Sequence, residues 1–117
     1  LQALLGLARA GNTDATVRAY RTALARWPES LPAAVGLANH LHARGSLDEA
    51  AGVLRTALQR HPQSVIVLNN LAQTLSDQGR HREALAVIQK ADDPQSPFAG
   101  EVRATRQLIE ERLRGGS

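Results

Sequence analysis

Residues 31–64 read LPAAVGLANHLHARGSLDEAAGVLRTALQRHPQS, and residues 65–98 read VIVLNNLAQTLSDQGRHREALAVIQKADDPQSPF. The second segment repeats the small and apolar positions of the first at a spacing of 34 residues; the aligned pairs are Leu37 and Leu71, Ala38 and Ala72, Leu41 and Leu75, Gly45 and Gly79, Ala50 and Ala84, Leu54 and Ile88, and Ala57 and Ala91. The same spacing places Tyr20 and Pro28 in an N-terminal copy that lacks its first residues. A fixed period of this length predicts stacked copies of one structural unit.

Each copy divides at its glycine into two segments with helical periodicity. In the copy at 31–64 the apolar residues that mark the two helix faces are Leu31, Ala34, Leu37, Ala38 and Leu41, followed by Leu47, Ala50, Ala51, Leu54, Ala57 and Leu58. The sequence therefore predicts a pair of helices in each unit. Gly45 and Gly79 are expected to end the first helix of the pair in the left-handed conformation.

Serine residues mark the expected helix starts. Ser30 and Ser64 precede the first helices of the second and third units, where a hydroxyl can accept a hydrogen bond from a free backbone N–H. Ser46 and Glu49 have the spacing of a capping box at the second helix.

This pattern of Leu-Ala, Leu, Gly, Ala, Ala-Leu and Pro resembles the tetratricopeptide repeat over about residues 1–96. The resemblance implies an all-α fold, a right-handed superhelical stack of antiparallel helix pairs, with units at residues 1–30, 31–64 and 65–96. Two departures from the family pattern are visible. Ala34 and Leu68 replace its usual aromatic residue, and Asp92-Asp93-Pro94 ends the third unit early.

The two ends of the chain carry separate expectations. Residues 97–114 place Phe98, Val102, Thr105, Ile109 and Leu113 on one helical stripe, which predicts a helix that caps the array, and residues 115–117 are expected to be a disordered tail. The alternative for this helix is binding to a partner or to a membrane surface, although its mixed charges argue against an anionic membrane.

The first residues are apolar on nearly every side of a helix, including Leu1, Leu4 and Leu5. Such a helix needs cover, either from preceding residues of a longer protein or from a second copy in a homodimer. Because the chain contains no methionine, it is expected to be a piece of a longer protein.

The resemblance also implies that the first helix of each pair lines a concave groove. The side chains that remain there after the packing positions are removed are Val35, Asn39 and His42 of the second unit and Ile66, Asn69, Asn70, Gln73 and Asp77 of the third, together with Gly36, Ala43 and Ser76. Amides supply donors and acceptors that suit an extended peptide backbone. A protein or peptide partner in this groove is the predicted function; support of neighbouring helices by the same amides is the alternative.

Asn39 and Asn70 also resemble two members of a clamp with which some tetratricopeptide domains hold a peptide's C-terminal carboxylate. The lysine of that clamp is replaced by Val35, and its basic residues are missing at Gly100 and Ala104. The complete clamp is therefore not predicted.

Catalytic and metal chemistry is not expected in this chain. It has no cysteine, and His40 and His42 point away from each other on a helix, so they cannot chelate one metal ion. The four histidines are predicted to lie at the surface or at helix ends. No nucleophile has a base at helical contact spacing. No enzyme activity, cofactor or metal site is predicted.

Charge and composition exclude two further partner classes. The net charge of +3 comes without a basic run, and the three aromatic residues are far apart in sequence, so no nucleic-acid partner is expected. The sequence contains no run of 18 apolar residues, so membrane insertion is not predicted. The length indicates one domain.

Two alternative functions stay open at this point. Residues 26–64 and 69–85 are similar to C-terminal repeats of some bacterial papain-like peptidases of the bacteriocin-processing type, which implies a substrate-recruiting accessory domain. The catalytic residues would then lie before Leu1, and the compartment would be periplasmic or secreted instead of cytoplasmic. The other alternative is a scaffold that self-associates through its N-terminal helix.

Overall fold

The computed structural model describes residues 13–115, and every regular element in that range is an α-helix. The six helices are α1 (Thr13–Arg26), α2 (Leu31–Ala43), α3 (Leu47–Arg60), α4 (Val65–Asp77), α5 (His81–Gln89) and α6 (Ala99–Arg114). Within residues 13–115, no helix combines the length and apolar content that a membrane crossing requires. Leu1, Leu4 and Leu5 of the predicted self-association surface lie outside the described residues.

The helices form a stack in which each one packs against the next, and α4 also contacts α2 and α6. One continuous apolar core runs through the stack, and its largest members include Leu37, Leu41, Leu54, Leu68, Leu75, Ile88 and Ile109. Ala38, Ala50, Ala72 and Ala84 are at most 1% exposed, because closely crossing helices leave space only for a methyl group. The predicted all-α stack of helix pairs is confirmed.

A repeated ion pair shows that successive units stack in the same register. Arg21 Nη2 on α1 lies 2.7 Å from Glu49 Oε2 on α3, and Arg55 Nη2 on α3 lies 2.7 Å from Glu83 Oε2 on α5. The two arginines and the two glutamates are each separated by one repeat length. Exposed pairs of this kind contribute little free energy, so they report the stacking register more than they cause it.

The turn within each pair is a glycine turn. Gly45 and Gly79 both have φ of 85°, the left-handed region that penalises every residue with a Cβ. The N–H of Ser46 donates to the carbonyl of Leu41 at 2.8 Å, and that of Arg80 donates to Leu75 at 2.9 Å. These bonds complete a Schellman motif in each unit, as the glycine positions predicted.

Two of the three predicted serine caps are present. Ser30 Oγ accepts from the N–H of Ala33 at 3.2 Å, and Ser64 Oγ accepts from the N–H of Val67 at 3.3 Å. The predicted capping box at Ser46 is wrong. Ser46 has ψ of 64° instead of the extended values of 108° and 113° at Ser30 and Ser64, and its Oγ accepts from Arg44 Nε. The preceding glycine turn sets this backbone conformation.

The last helix packs against α4 and α5. Val102, Thr105 and Ile109 form its buried face, in the same register as Leu68, Leu71 and Leu75 of α4. The capping role of α6 stays a prediction. Gly115 follows α6, and residues 116 and 117 of the predicted tail lie outside the described part of the chain.

Candidate peptide-binding groove

The first helices of successive units lie side by side, and we call the surface formed by α2, α4 and α6 the groove. Its sides are close enough for direct contacts, since α4 touches both α2 and α6. The groove has three zones, an apolar pocket at the helix starts, a row of amides in the middle and a charged cluster at the helix ends. Most of the predicted side chains fall into these three zones, whereas Gly36 and Ser76 are buried.

The apolar zone is a pocket of about 510 Å³ at the beginning of the three helices. Its lining residues are Leu31, Pro32, Val35, Ser64, Val65, Ile66, Ser96, Pro97 and Phe98. Val35 and Ile66 were predicted to face the groove, and they do line this pocket. Phe98 was missed, because the sequence placed it on the buried stripe of the last helix. It is instead the residue before α6, with 39% of its surface exposed.

The amide zone joins the three helices. Asn70 Nδ2 on α4 donates to Asn39 Oδ1 on α2 at 3.3 Å, and Gln73 Nε2 on α4 donates to Thr105 Oγ1 on α6 at 3.2 Å. In each of these three amides, one of the two polar atoms is therefore hydrogen-bonded to a neighbouring helix. Among the described residues, Asn39 Nδ2, Asn70 Oδ1 and Gln73 Oε1 keep no protein partner. Asn69 differs, because its Oδ1 is buried without a hydrogen bond in this part of the chain.

The charged zone is a paired cluster at the helix ends. His42 Nε2 lies 2.6 Å from Asp77 Oδ2, and Arg112 Nη1 donates to Asp77 Oδ1 at 2.9 Å. Burial alone would raise the pKa of Asp77, but hydrogen bonds and charge interactions with His42 and Arg112 outweigh burial and lower the pKa. Asp77 is therefore held as a carboxylate in the groove, with its charge neutralised by its neighbours.

Acid should weaken the contribution of this cluster to stability. A carboxyl group with a lowered folded-state pKa stabilises the fold above its unfolded-state pKa and loses that contribution as the pH falls through the folded-state value. We expect Asp77→Asn to cost about 0.5–1 kcal/mol in urea unfolding at neutral pH, since its side chain is partly solvent-screened. The cost should be smaller at pH 3 than at neutral pH, because the stabilisation by Asp77 is lost as the pH falls through its lowered folded-state pKa. Glu111→Gln, an exposed carboxylate on α6, is the control; an equal cost of Asp77→Asn at both pH values would contradict the assignment.

Three residues predicted for the groove or the surface are buried instead. Gly36 packs against Tyr20 of α1, and His40 is 5% exposed with its ring centroid 5.5 Å from that of Tyr20. Ser76 is 2% exposed, and its Oγ lies 2.9 Å from His81 Nδ1. His81 is also buried, but it begins α5 as predicted, so the expectation of surface or helix-end histidines is wrong for His40 only. All four positions are covered by neighbouring helices, and local periodicity in the sequence does not reveal which helices these are.

Metal-ligating side chains are not clustered in the described range. Within residues 13–115, no group of three or more His, Cys, Asp or Glu side chains is placed to hold a metal ion. The groove histidine, His42, is used by Asp77, and the groove arginine, Arg112, is shared between Asp77 and Ser76. The arrangement offers hydrogen bonding and apolar burial as its binding chemistry.

Two sequence profiles described as tetratricopeptide repeat match the chain, over residues 1–65 and residues 41–104. The chain belongs to the tetratricopeptide repeat family. Tetratricopeptide repeats are protein-interaction modules and are typically non-catalytic, so this chain is an interaction module in that general sense. No curated protein matches the sequence.

A solved structure of a tetratricopeptide protein supports the same fold. It comes from the functional characterization of PilF of Pseudomonas aeruginosa, and it is similar to this chain with a TM-score of 0.84 and 27% sequence identity. The similarity covers 97% of this chain and 51% of the PilF chain, so this chain spans about half the length of that protein. These comparisons give no support to the predicted association with peptidases.

Proposed function

We propose that this tetratricopeptide chain binds an extended peptide or protein segment in the groove formed by α2, α4 and α6. The observation that carries the proposal is the presence of an apolar pocket and of half-satisfied amides on one surface. The pocket supplies burial for a side chain of the partner. The amides supply donors and acceptors for its backbone.

The pocket has the size and chemistry of a ligand site. Its volume of about 510 Å³ lies in the range of roughly 300–1,000 Å³ that is common for such sites. Ile66 and Phe98 leave 38% and 39% of their surfaces exposed in it. Covering one large apolar side chain of a partner there would contribute about 1.5–3 kcal/mol.

The amide zone suits a backbone more than a particular side chain. An extended segment presents N–H and C=O groups on both edges, and each needs a partner once water is displaced. Asn39 offers a free donor, and Asn70 and Gln73 each offer a free acceptor. Because the other end of each amide is held by a neighbouring helix, these groups are oriented before a partner arrives.

Removing two of these amides should weaken binding far more than it weakens the fold. Asn39→Ala combined with Asn70→Ala is expected to reduce the affinity for groove peptides about thirtyfold, since each of the two lost neutral hydrogen bonds contributes about 1 kcal/mol. The melting temperature should change little, because the 3.3 Å bond between the two amides is solvent-exposed. Fluorescence polarisation and thermal melting by circular dichroism measure the two effects.

Gln59→Ala provides the matched control, because Gln59 is exposed on α3 and its side-chain amide makes no hydrogen bond within the described residues. It should change neither binding nor melting. A large loss of stability in the double variant, with peptide binding per folded molecule unchanged, would show that Asn39 and Asn70 only support the helices.

A further inference from the structure

We infer that the partner segment carries a large apolar side chain next to an acidic one, the first seated in the apolar pocket and the second paired with Arg103. The inference rests on the proposed function and adds the chemical class of the partner. It follows from the pocket walls, from the position of Arg103 and from the other charges of the groove.

The pocket leaves apolar surface uncovered in one place. Four large hydrophobic residues among the described ones are exposed, and two of them, Ile66 and Phe98, line this pocket. Val35 of α2 completes its third side. Single exposed apolar side chains are ordinary on a protein surface, whereas a concave group contributed by three elements marks an interaction site.

The repeat register places Arg103 on the groove side of α6, in its first turns. It follows Phe98 by five residues, which is about 7.5 Å along the helix axis and within reach of an arginine side chain. The repeat spacing aligns Arg103 with Asn69 and with Val35, and Val35 lines the pocket. The buried residues of α6 keep this alignment, since Val102 matches the buried Leu68.

The guanidinium of Arg103 is available to a partner. Arg106 and Arg112 on the same helix pair with Asp92 and Asp77, at 3.3 Å and 2.9 Å. Arg103 is exposed and makes no ion pair with any residue that the structure describes. An arginine held on a helix beside an apolar pocket can form a paired hydrogen bond with a carboxylate.

The charges around the pocket also favour an acidic segment. The first turns of α2 and α4 contain no acidic residue, so the partial positive charge of these helix starts is not neutralised at the pocket. Glu101 of α6 aligns with the buried Val67 and lies off the groove side. The carboxylate of Asp77 lies at the far end of α4 and is paired on both sides.

The acids of the loop before α6 are likewise engaged. Asp92 pairs with Arg106, and Asp93 Oδ1 accepts from the backbone N–H of Gln95 at 3.0 Å. Asp92 and Asp93 therefore do not compete freely with an acidic side chain of the partner for Arg103. A basic segment would meet the like charge of Arg103 and would be excluded by it.

A random peptide selection tests the inference. Three adjacent helices span about 20 Å, or about six extended residues, so phage-displayed random peptides of about twelve residues cover the groove. The probe is this library, selected on the immobilised full chain. Peptides that lose binding to Asn39→Ala/Asn70→Ala or to Phe98→Ala are assigned to the groove. Leu108→Ala is the control, because Leu108 is 40% exposed on α6 but lies outside the pocket.

The expected groove peptides combine Leu, Ile, Met or Phe with Asp or Glu within about three residues, the distance that Arg103 and the pocket allow. Groove peptides that are basic or lack a large apolar residue would overturn the inference and leave the proposed function intact. If selected peptides bind without dependence on the groove variants, or if no peptide is enriched over a blank surface, the proposed function fails as well.

A charge swap tests Arg103 directly. Arg103→Glu should weaken an acidic groove peptide about fivefold and strengthen the same peptide with lysine in place of the acid, and both effects should shrink as the salt rises from about 0.05 to 0.5 M. Arg82→Glu is the control, because Arg82 is an exposed arginine on α5 without an ion pair among the described residues. If Arg103→Glu leaves both peptide affinities unchanged while Phe98→Ala still weakens peptide binding, the pocket binds the apolar side chain but Arg103 does not recognise the acid. That result would overturn the inference.

Discussion

Gly36→Ala is expected to destabilise the protein by about 1–3 kcal/mol, although alanine is the better helix former. Gly36 lies inside α2, where it crosses α1, and an added Cβ would come within 2.3 Å of two ring carbons of Tyr20. Tyr20 is 2% exposed, and burial raises the pKa of its hydroxyl. The ring is confined by the surrounding core, so the helices themselves must separate.

A matched glycine gives the opposite sign. Gly52 lies inside α3, is exposed and has no atom within 4 Å of an added Cβ. Gly52→Ala should therefore stabilise the protein by about 0.5–1 kcal/mol through helix propensity alone. Urea unfolding followed by circular dichroism measures both variants. Equal stabilities of the two variants would show that α1 does not press on Gly36.

The repeat alignment suggests a second substitution that should restore the stability lost in Gly36→Ala. Tyr20 aligns with Leu54 in the next unit, and Gly36 aligns with Asn70. The crossing of α1 and α2 therefore combines a larger side chain at Tyr20 with no side chain at Gly36. Tyr20→Leu combined with Gly36→Ala should recover most of the lost stability. A double variant no better than Gly36→Ala alone would place the cost elsewhere.

Leu75→Ala is expected to cost about 3–5 kcal/mol, the range for a leucine truncated in a packed core. Leu75 is fully buried on α4, the helix that contacts α2, α3, α5 and α6. A domain of this size has a total stability of about 5–15 kcal/mol, so the variant should be close to unfolding at room temperature. Because neighbouring units stabilise each other, loss of the central helix should weaken the whole stack.

The control for Leu75→Ala is Leu108→Ala on α6. Leu108 is 40% exposed, so its truncation should cost less than about 1 kcal/mol. Chemical unfolding monitored by circular dichroism distinguishes the two, and Leu75→Ala should also abolish binding of groove peptides. A cost below about 1 kcal/mol for Leu75→Ala would contradict the position of α4 at the centre of the core.

Local chemistry explains why the helix pairs could be predicted. The conformation of Gly45 and Gly79, and the hydrogen bonds at Ser30 and Ser64, depend on a few neighbouring residues in the chain. Ser46 shows the limit of that reasoning. Its spacing to Glu49 is right for a cap, but the turn that precedes it sets a backbone angle from which the hydroxyl does not reach the helix.

The groove was predicted less completely, because exposure depends on the helix opposite. Asn39 and Asn70 were placed on the groove side and do meet there, whereas Gly36 and Ser76 from the same periodicity are buried. Phe98 shows the reverse. Its spacing fits the apolar stripe of α6, but it precedes the helix and its ring lines the pocket.

The sequence by itself determined the repeat length, the two helices of each unit, their glycine turns and most of their core residues, since these follow from periodicity and from backbone preferences within a few residues. Only the tertiary structure decided which polar groups are consumed by packing and which face a partner. Ser76 meets Arg112 across 36 residues, and His42 meets Asp77 across 35. Contacts between helices so far apart in the chain exist only after the units have stacked.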